Sequence, residues 1–109
     1  VTGPHVVLVT APSREDALML GRALVDERLA ACVNVLPGLT SIYRWEGRRE
    51  EAAECLLVIK TDGERYPALE RRVHELHSYT VPEVLALPVD AGAPAYVQWL
   101  KESVTVEGR

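Results

Sequence analysis

The stretch that decides the fold is residues 31–62, which read ACVNVLPGLTSIYRWEGRREEAAECLLVIKTD. In its first half, Pro37 and Gly38 interrupt a long β-prone segment, which predicts one strand with a bend. Glu46, Gly47 and Arg48 supply a turn, and residues 54–61 (ECLLVIKT) supply the return strand. The stretch therefore predicts a long β-hairpin with its turn near Gly47.

Hydrophobic periodicity places the remaining elements on either side of this hairpin. The apolar run HVVLV predicts a strand buried on both faces, and Ser13 with Asp16 predicts the start of a helix. Pro67 and apolar residues three and four apart predict a second helix. We expect two further strands, at residues 5–9 and 84–89. We expect three helices: the first ends near residue 28, the second spans about residues 66–76, and the third spans residues 95–102. This βαββαβ order with a short C-terminal helix is that of a ferredoxin-like α+β fold.

Length and composition favour one folded domain over residues 1–109. Hydrophobic residues make up 48% of the chain and charged residues 26%. The 12 Lys and Arg against 16 Asp and Glu give a net charge of -4, which argues against nucleic acid as a partner. No apolar run approaches the roughly 20 residues that span a bilayer, and residues 1–4 lack a signal-peptide pattern. We expect a cytoplasmic protein that does not associate with a membrane.

The alternation within the third strand predicts self-association. Cys55, Leu57 and Ile59 point to one face, while Leu56 and Val58 point to the other. Helices cover only one face of a ferredoxin-like sheet, so the second apolar face needs another cover. A second copy of the chain is the simplest one, although the pattern does not give the number of subunits.

The two cysteines give no sign of catalysis. In the predicted hairpin, Cys55 faces the neighbourhood of Thr40 and Cys32 lies about eight residues farther along, roughly 25 Å at ~3.3 Å per residue. This separation predicts two free thiols. The chain also has neither a GxxxxGK phosphate loop nor a GxSxG nucleophile elbow. We therefore expect no enzymatic activity.

Two groups of residues are candidates for ligand binding. His74 and His77 lie three residues apart at the end of the second helix, a spacing that suits a pair of metal ligands. Alternatively, they lie there because the carboxyl end of a helix favours cations. Trp45 and Lys60 on the hairpin, with Tyr79 and Glu83 in the loop before the fourth strand, could form a cleft for a small anion or a metal complex. Alternatively, Lys60 and Glu83 form a structural ion pair and Trp45 packs in an interface.

Several segments, in this order and spacing, resemble the CutA family of divalent-cation tolerance proteins. They are RLAACVNVLPGLTSIYRWEG (28–47), LLVIKT (56–61), HSYTVPEVLALPV (77–89) and AYVQWL (95–100). The resemblance covers about residues 5–102. It implies a ferredoxin-like protomer in a homotrimer similar to the PII signalling proteins, binding of copper or another divalent cation, and a role in metal tolerance.

The resemblance also suggests site residues. Family members with assigned copper ligands carry a Cys in the first strand and two successive His before the loop. Here those positions are Val9, Leu76 and His77, which leaves His77 as the expected metal ligand. Trp45, Lys60, Tyr79 and Glu83 match the family's cleft. The leading hypothesis is a cytoplasmic, non-enzymatic trimer that binds a divalent cation, copper before others, weakly at the cleft between subunits, with His77 as the side-chain ligand. The alternatives are a PII-like sensor of a small anionic metabolite and a structural trimer; neither identifies a protein partner.

Overall fold

The computed structural model describes residues 2–106, which form four strands and three helices. In chain order these are β1 (Pro4–Ala11), α1 (Arg14–Asp26), β2 (Cys32–Trp45), β3 (Arg48–Asp62), α2 (Tyr66–Leu76), β4 (Val84–Pro88) and α3 (Pro94–Val104). This order confirms the predicted βαββαβ arrangement with a C-terminal helix. None of the helices in the described part of the chain is both long enough and apolar enough to cross a membrane.

The four strands form one sheet in the order β2-β3-β1-β4, and every neighbouring pair is antiparallel. One face of the sheet carries the main core, because alternate residues of β1 and β3 are fully buried beside α1 and α2. Val7, Val9, Leu57 and Ile59 belong to this core. The fold is therefore ferredoxin-like, with α1 and α2 on one face of the sheet.

Local signals in the sequence begin and end these elements as expected. The Ser13 side chain accepts a hydrogen bond from the Asp16 amide at 3.1 Å and caps α1. Pro67 lies in the first turn of α2, where a missing N–H costs nothing. Glu46 and Gly47 both have positive φ, 51° and 79°, as a two-residue hairpin turn requires. The predicted hairpin is confirmed.

A β-bulge bends β2 at Pro37 and Gly38. Leu36 pairs with Leu56 and Leu39 pairs with Glu54, so β2 has one more residue than β3 in this interval. Gly38 has a φ of 83°, which suits glycine. The bulge changes the phase of β2, so that Ser41 and Tyr43 share a face with Leu36.

The structure corrects three details of the sequence prediction. The strand β3 begins at Arg48 and not at Glu54, because its polar first half pairs with residues 40–45 along the whole hairpin. The helix α3 is longer than predicted at both ends. Cys55 opposes the bulge and not Thr40, and Cys32 pairs with Lys60, about 17 Å along β3 from Cys55 at ~3.3 Å per residue. Both cysteines are free thiols.

The sheet face away from α1 and α2 is apolar, and we call it the open face. The strand registers place its apolar side chains in adjoining rows: Val6, Leu8, Leu36, Leu56, Val58, Leu85 and Leu87. Leu36, Leu85 and Leu87 are 46–57% exposed in a single chain, and the others are half-buried. The predicted second apolar face is therefore present.

Candidate functional site

A cavity of about 650 Å³ lies where β1 ends, beside the projecting β2–β3 hairpin and the loop before β4. We call it the Glu54 cavity. The hairpin contributes side chains from both of its strands, and the loop contributes those that precede β4. The lining residues are Thr10, Ser41, Ile42, Tyr43, Trp45, Glu54, Ser78, Tyr79, Thr80, Val81 and Glu83.

Glu54 is the buried carboxylate of this cavity, and only 8% of the residue is exposed. Its Oε1 accepts a 2.6 Å hydrogen bond from the Ser41 hydroxyl, and its Oε2 accepts a 2.7 Å bond from the Tyr79 hydroxyl. Within residues 2–106, no Lys, Arg or His side chain forms an ion pair with it. Glu54 is therefore stabilised by neutral donors alone, although a buried carboxylate usually has a cationic partner.

Tyr79 is held in its protonated form. Burial, followed by its hydrogen bond to Glu54, raises the pKa of the Tyr79 phenol to about 12. The protonated phenol is the form that can donate to the carboxylate. Tyr79 thus remains a hydrogen-bond donor throughout the neutral range.

Both ring nitrogens of His77 form hydrogen bonds with backbone groups. Its Nδ1 accepts a 3.0 Å hydrogen bond from the Tyr79 amide, and its Nε2 donates to the Thr10 carbonyl oxygen at 2.7 Å. The two partners fix the tautomer, since an amide can only donate and a carbonyl can only accept. A metal ion at His77 would have to replace one of these bonds.

The structure separates the two histidines that the sequence placed together. His77 is the C-cap of α2, with an extended backbone and a buried side chain. His74 lies on the last turn of α2 with its side chain 47% exposed and its Nε2 3.9 Å from a carboxylate oxygen of Glu70. The prediction that both lie on one helical face fails because α2 ends at Leu76.

Three of the four predicted cleft residues, Trp45, Tyr79 and Glu83, line the Glu54 cavity. Lys60 does not line the cavity of its own chain. It lies six residues from Glu54 along β3, about 20 Å at ~3.3 Å per residue, and its ammonium donates to Asn34. The alternative Lys60–Glu83 ion pair is not among the ion pairs formed within residues 2–106.

Sequence reasoning missed Glu54 and Ser41. The signal was present, because Glu54 has the same parity as the apolar Leu56 and Val58 and stands directly next to them on that face. Ser41 could not be placed without the exact position of the bulge. The cavity therefore contains a buried acid that composition alone did not reveal.

The lining of the cavity is acidic. Glu54 and Glu83 are its carboxylates, and none of the described residues that line it is basic. Across residues 2–106 there is no cluster of three or more His, Cys, Asp or Glu side chains suited to holding a metal ion. A cation in this cavity would therefore complete its coordination with hydroxyl oxygens or water.

Comparison with known proteins gives the family. The family model described as CutA1 divalent ion tolerance protein matches residues 5–103. The chain belongs to the CutA1 family. Its relatives include the divalent-cation tolerance protein CutA of Thermus thermophilus, 55% identical over 91% of this chain and 96% of that protein. A solved structure of the divalent cation tolerance protein (Cut A1) from the same organism superposes with a TM-score of 0.92 at 53% identity, covering 94% of this chain and 99% of that one.

CutA1 relatives differ in length and in named location. The chloroplastic CutA protein of Arabidopsis thaliana is 47% identical over 90% of this chain, which spans 54% of that relative's length. The CutA1 family is named for tolerance of divalent ions and not for a reaction.

Two of the positions at which the sequence resemblance led us to look for metal ligands are packing positions in this CutA1 chain. Val9 is fully buried in the core, and Leu76 packs against the same core from the end of α2. Neither side chain offers a donor atom to a metal. Of the three expected ligand positions, His77 is the one with donor atoms, and both of its nitrogens already have partners.

Proposed function

We propose that this protein acts in divalent-cation tolerance as a non-enzymatic, cytoplasmic homotrimer that binds a divalent cation in the Glu54 cavity. The observation that carries the proposal is the buried Glu54 carboxylate, which lines an open cavity and has hydroxyl donors but no cationic partner in the described chain. A bound cation would supply the missing positive charge.

The donor atoms in the cavity suit a hard cation. Carboxylates from Glu54 and Glu83 and hydroxyls from Thr10 and Ser41 are all oxygen donors. Oxygen ligands favour Mg²⁺, Ca²⁺ and Mn²⁺, and Mg²⁺ commonly keeps several waters while one or two carboxylates hold it. Weak binding of a hydrated ion fits this donor set.

Copper binding is a separate form of the proposal, because His77 is not among the residues that line the Glu54 cavity. Cu²⁺ prefers imidazole nitrogen, so it would bind through His77. That binding costs either the bond to the Thr10 carbonyl or the bond from the Tyr79 amide. Copper affinity should then depend on His77, whereas the affinity for hard cations should depend on Glu54.

The open face supports association into a closed oligomer. Its exposed leucines form an apolar surface that a monomer would leave in water, at a cost of ~25 cal/mol per Å². The Glu54 cavity lies on the same side of the sheet, since Glu54 shares the face of Leu56. Lys60 also lies on this face. In an assembly, a neighbour's Lys60 reaching the cavity would favour the alternative, a sensor of a small anion.

Calorimetric titrations separate these forms of the proposal. Mn²⁺ and Cu²⁺ are titrated into the wild type and into the Glu54→Gln, His77→Ala and Glu51→Gln variants. Glu51 is the matched control, because it lies on β3 but does not line the cavity. We expect Glu54→Gln to weaken Mn²⁺ binding at least about tenfold, and His77→Ala to weaken only Cu²⁺ binding.

The proposal fails if neither metal binds the wild type, or if Glu54→Gln and Glu51→Gln bind Mn²⁺ equally well. Raised thermal stability with small anions, lost in Lys60→Ala and accompanied by no metal effect, would favour the sensor instead.

A further inference from the structure

The Glu54 cavity has a feature that a hydrated metal ion does not explain. Three aromatic side chains, Tyr43, Trp45 and Tyr79, line it and are 37–53% exposed. The face of an aromatic ring attracts a cation, and tryptophan does so most strongly. Metal ions of the hard class take oxygen ligands, so the aromatic wall points to a different kind of cation.

Glu54 has acceptor capacity left for such a ligand. An ionised carboxylate can accept about four hydrogen bonds, and here Ser41 bonds one oxygen while Tyr79 bonds the other. Each oxygen therefore keeps a free lone pair. A primary ammonium group brings three N–H donors, and the hydroxyls of Thr10 and Thr80 lie in the same lining as further acceptors.

The size and charge of the cavity fit a small organic cation. Its volume of about 650 Å³ lies within the ~300–1,000 Å³ of small-molecule sites. Within one chain, the described lining residues carry two carboxylates and no basic group, and this charge favours a cation over an anion. We propose that the cavity binds a primary alkylammonium ion, such as an aliphatic diamine, with its ammonium on Glu54 and its alkyl chain against Trp45. This binding does not require metal binding.

The test uses 1,4-diaminobutane, with 1,4-butanediol as its neutral analogue, at constant ionic strength. The chain has two tryptophans, so a Trp99→Phe variant leaves Trp45 as the single tryptophan reporter. We expect saturable quenching or enhancement of Trp45 fluorescence by the diamine and none by the diol. Calorimetry should give a Kd about tenfold higher in Glu54→Gln and about fivefold higher in Trp45→Leu, with no change in Glu51→Gln.

Absence of saturable diamine binding, equal binding of the diol, or an unchanged Kd in both Glu54→Gln and Trp45→Leu would overturn this inference. The same calorimeter distinguishes it from the proposed function. Diamine binding without Mn²⁺ binding removes the metal proposal alone, and Mn²⁺ binding without diamine binding removes this inference alone. Binding of both predicts competition, because the two cations share Glu54.

Discussion

The hydroxyl of Tyr79 donates a 2.7 Å hydrogen bond to Oε2 of Glu54, and this bond joins the loop before β4 to the middle of β3. The two residues are 25 positions apart in the chain. The same loop is held from behind by His77, which bonds both the Tyr79 amide and the Thr10 carbonyl. The loop that carries Tyr79 is thus joined to β3 through Glu54 and to β1 through His77 and Thr10.

Replacing Tyr79 by Phe should destabilise the fold modestly. The variant keeps the ring and removes one of the two donors to a buried carboxylate, which costs about 1 kcal/mol of unfolding free energy. Urea unfolding of Tyr79→Phe beside the wild type measures the difference. Tyr43→Phe is the matched control, since Tyr43 also lines the cavity but no hydrogen bond of its hydroxyl occurs within residues 2–106. Equal losses in both variants would contradict the role given to the bond.

Tyr79 should also contribute to stability in alkali. Burial first, and then Glu54, raises its pKa from 10.0 to about 12. The unfolded chain therefore loses this proton at lower pH than the native chain, so the contribution is complete below pH 10 and is lost as the pH rises towards 12. Unfolding free energies measured between about pH 9 and 12 should fall more steeply for the wild type than for Tyr79→Phe. Parallel curves would show that Tyr79 titrates alike in both states.

The substitution Gly38→Ala tests the bulge. Gly38 has a φ of 83°, and no atom lies within 4 Å of an added Cβ, so the cost is one of backbone conformation and not of space. We expect a loss of about 1 kcal/mol in unfolding free energy, with the fold retained. Equilibrium unfolding by circular dichroism measures the loss. Unchanged or increased stability would mean that β2 does not need this backbone conformation.

A charge in the open face should break the assembly without unfolding the chain. Val58 lies at the centre of that face, between Leu8 and Asn34 in the strand registers. We expect Val58→Lys to run as a folded monomer in light scattering coupled to gel filtration, while the wild type runs as a trimer. The control is Val25→Lys, because Val25 is a 41% exposed residue of α1. A trimeric Val58→Lys variant would place the interface elsewhere.

The sequence was sufficient for most of the fold because its signals are local. The Ser13 cap, Pro67 and the turn at Gly47 each fix a boundary through the chemistry of a few neighbouring residues. The β3 start was missed because residues 48–51 are all charged, residues 52–53 are alanines, and the whole segment is ordered by pairing with β2, a non-local contact. Periodicity cannot report a strand that has no buried face.

The site was predictable only in part for a related reason. Trp45, Tyr79 and Glu83 stand out by residue type, and the structure brings them to one cavity. The role of Glu54 depends on two hydrogen-bond donors that are distant in the sequence. The bulge places Ser41 on the same face as Glu54, and the loop before β4 brings the Tyr79 hydroxyl to the Glu54 carboxylate. The partners of His77 are backbone groups, which no side-chain motif encodes.

The most direct test of the proposed function is a crystal structure of the protein soaked in Mn²⁺, with the metal located by anomalous scattering. Our proposal predicts a peak within about 2.6 Å of a Glu54 carboxylate oxygen, and loss of that peak in Glu54→Gln crystals. A peak at His77, a peak elsewhere that survives in Glu54→Gln, or no peak at all would contradict it.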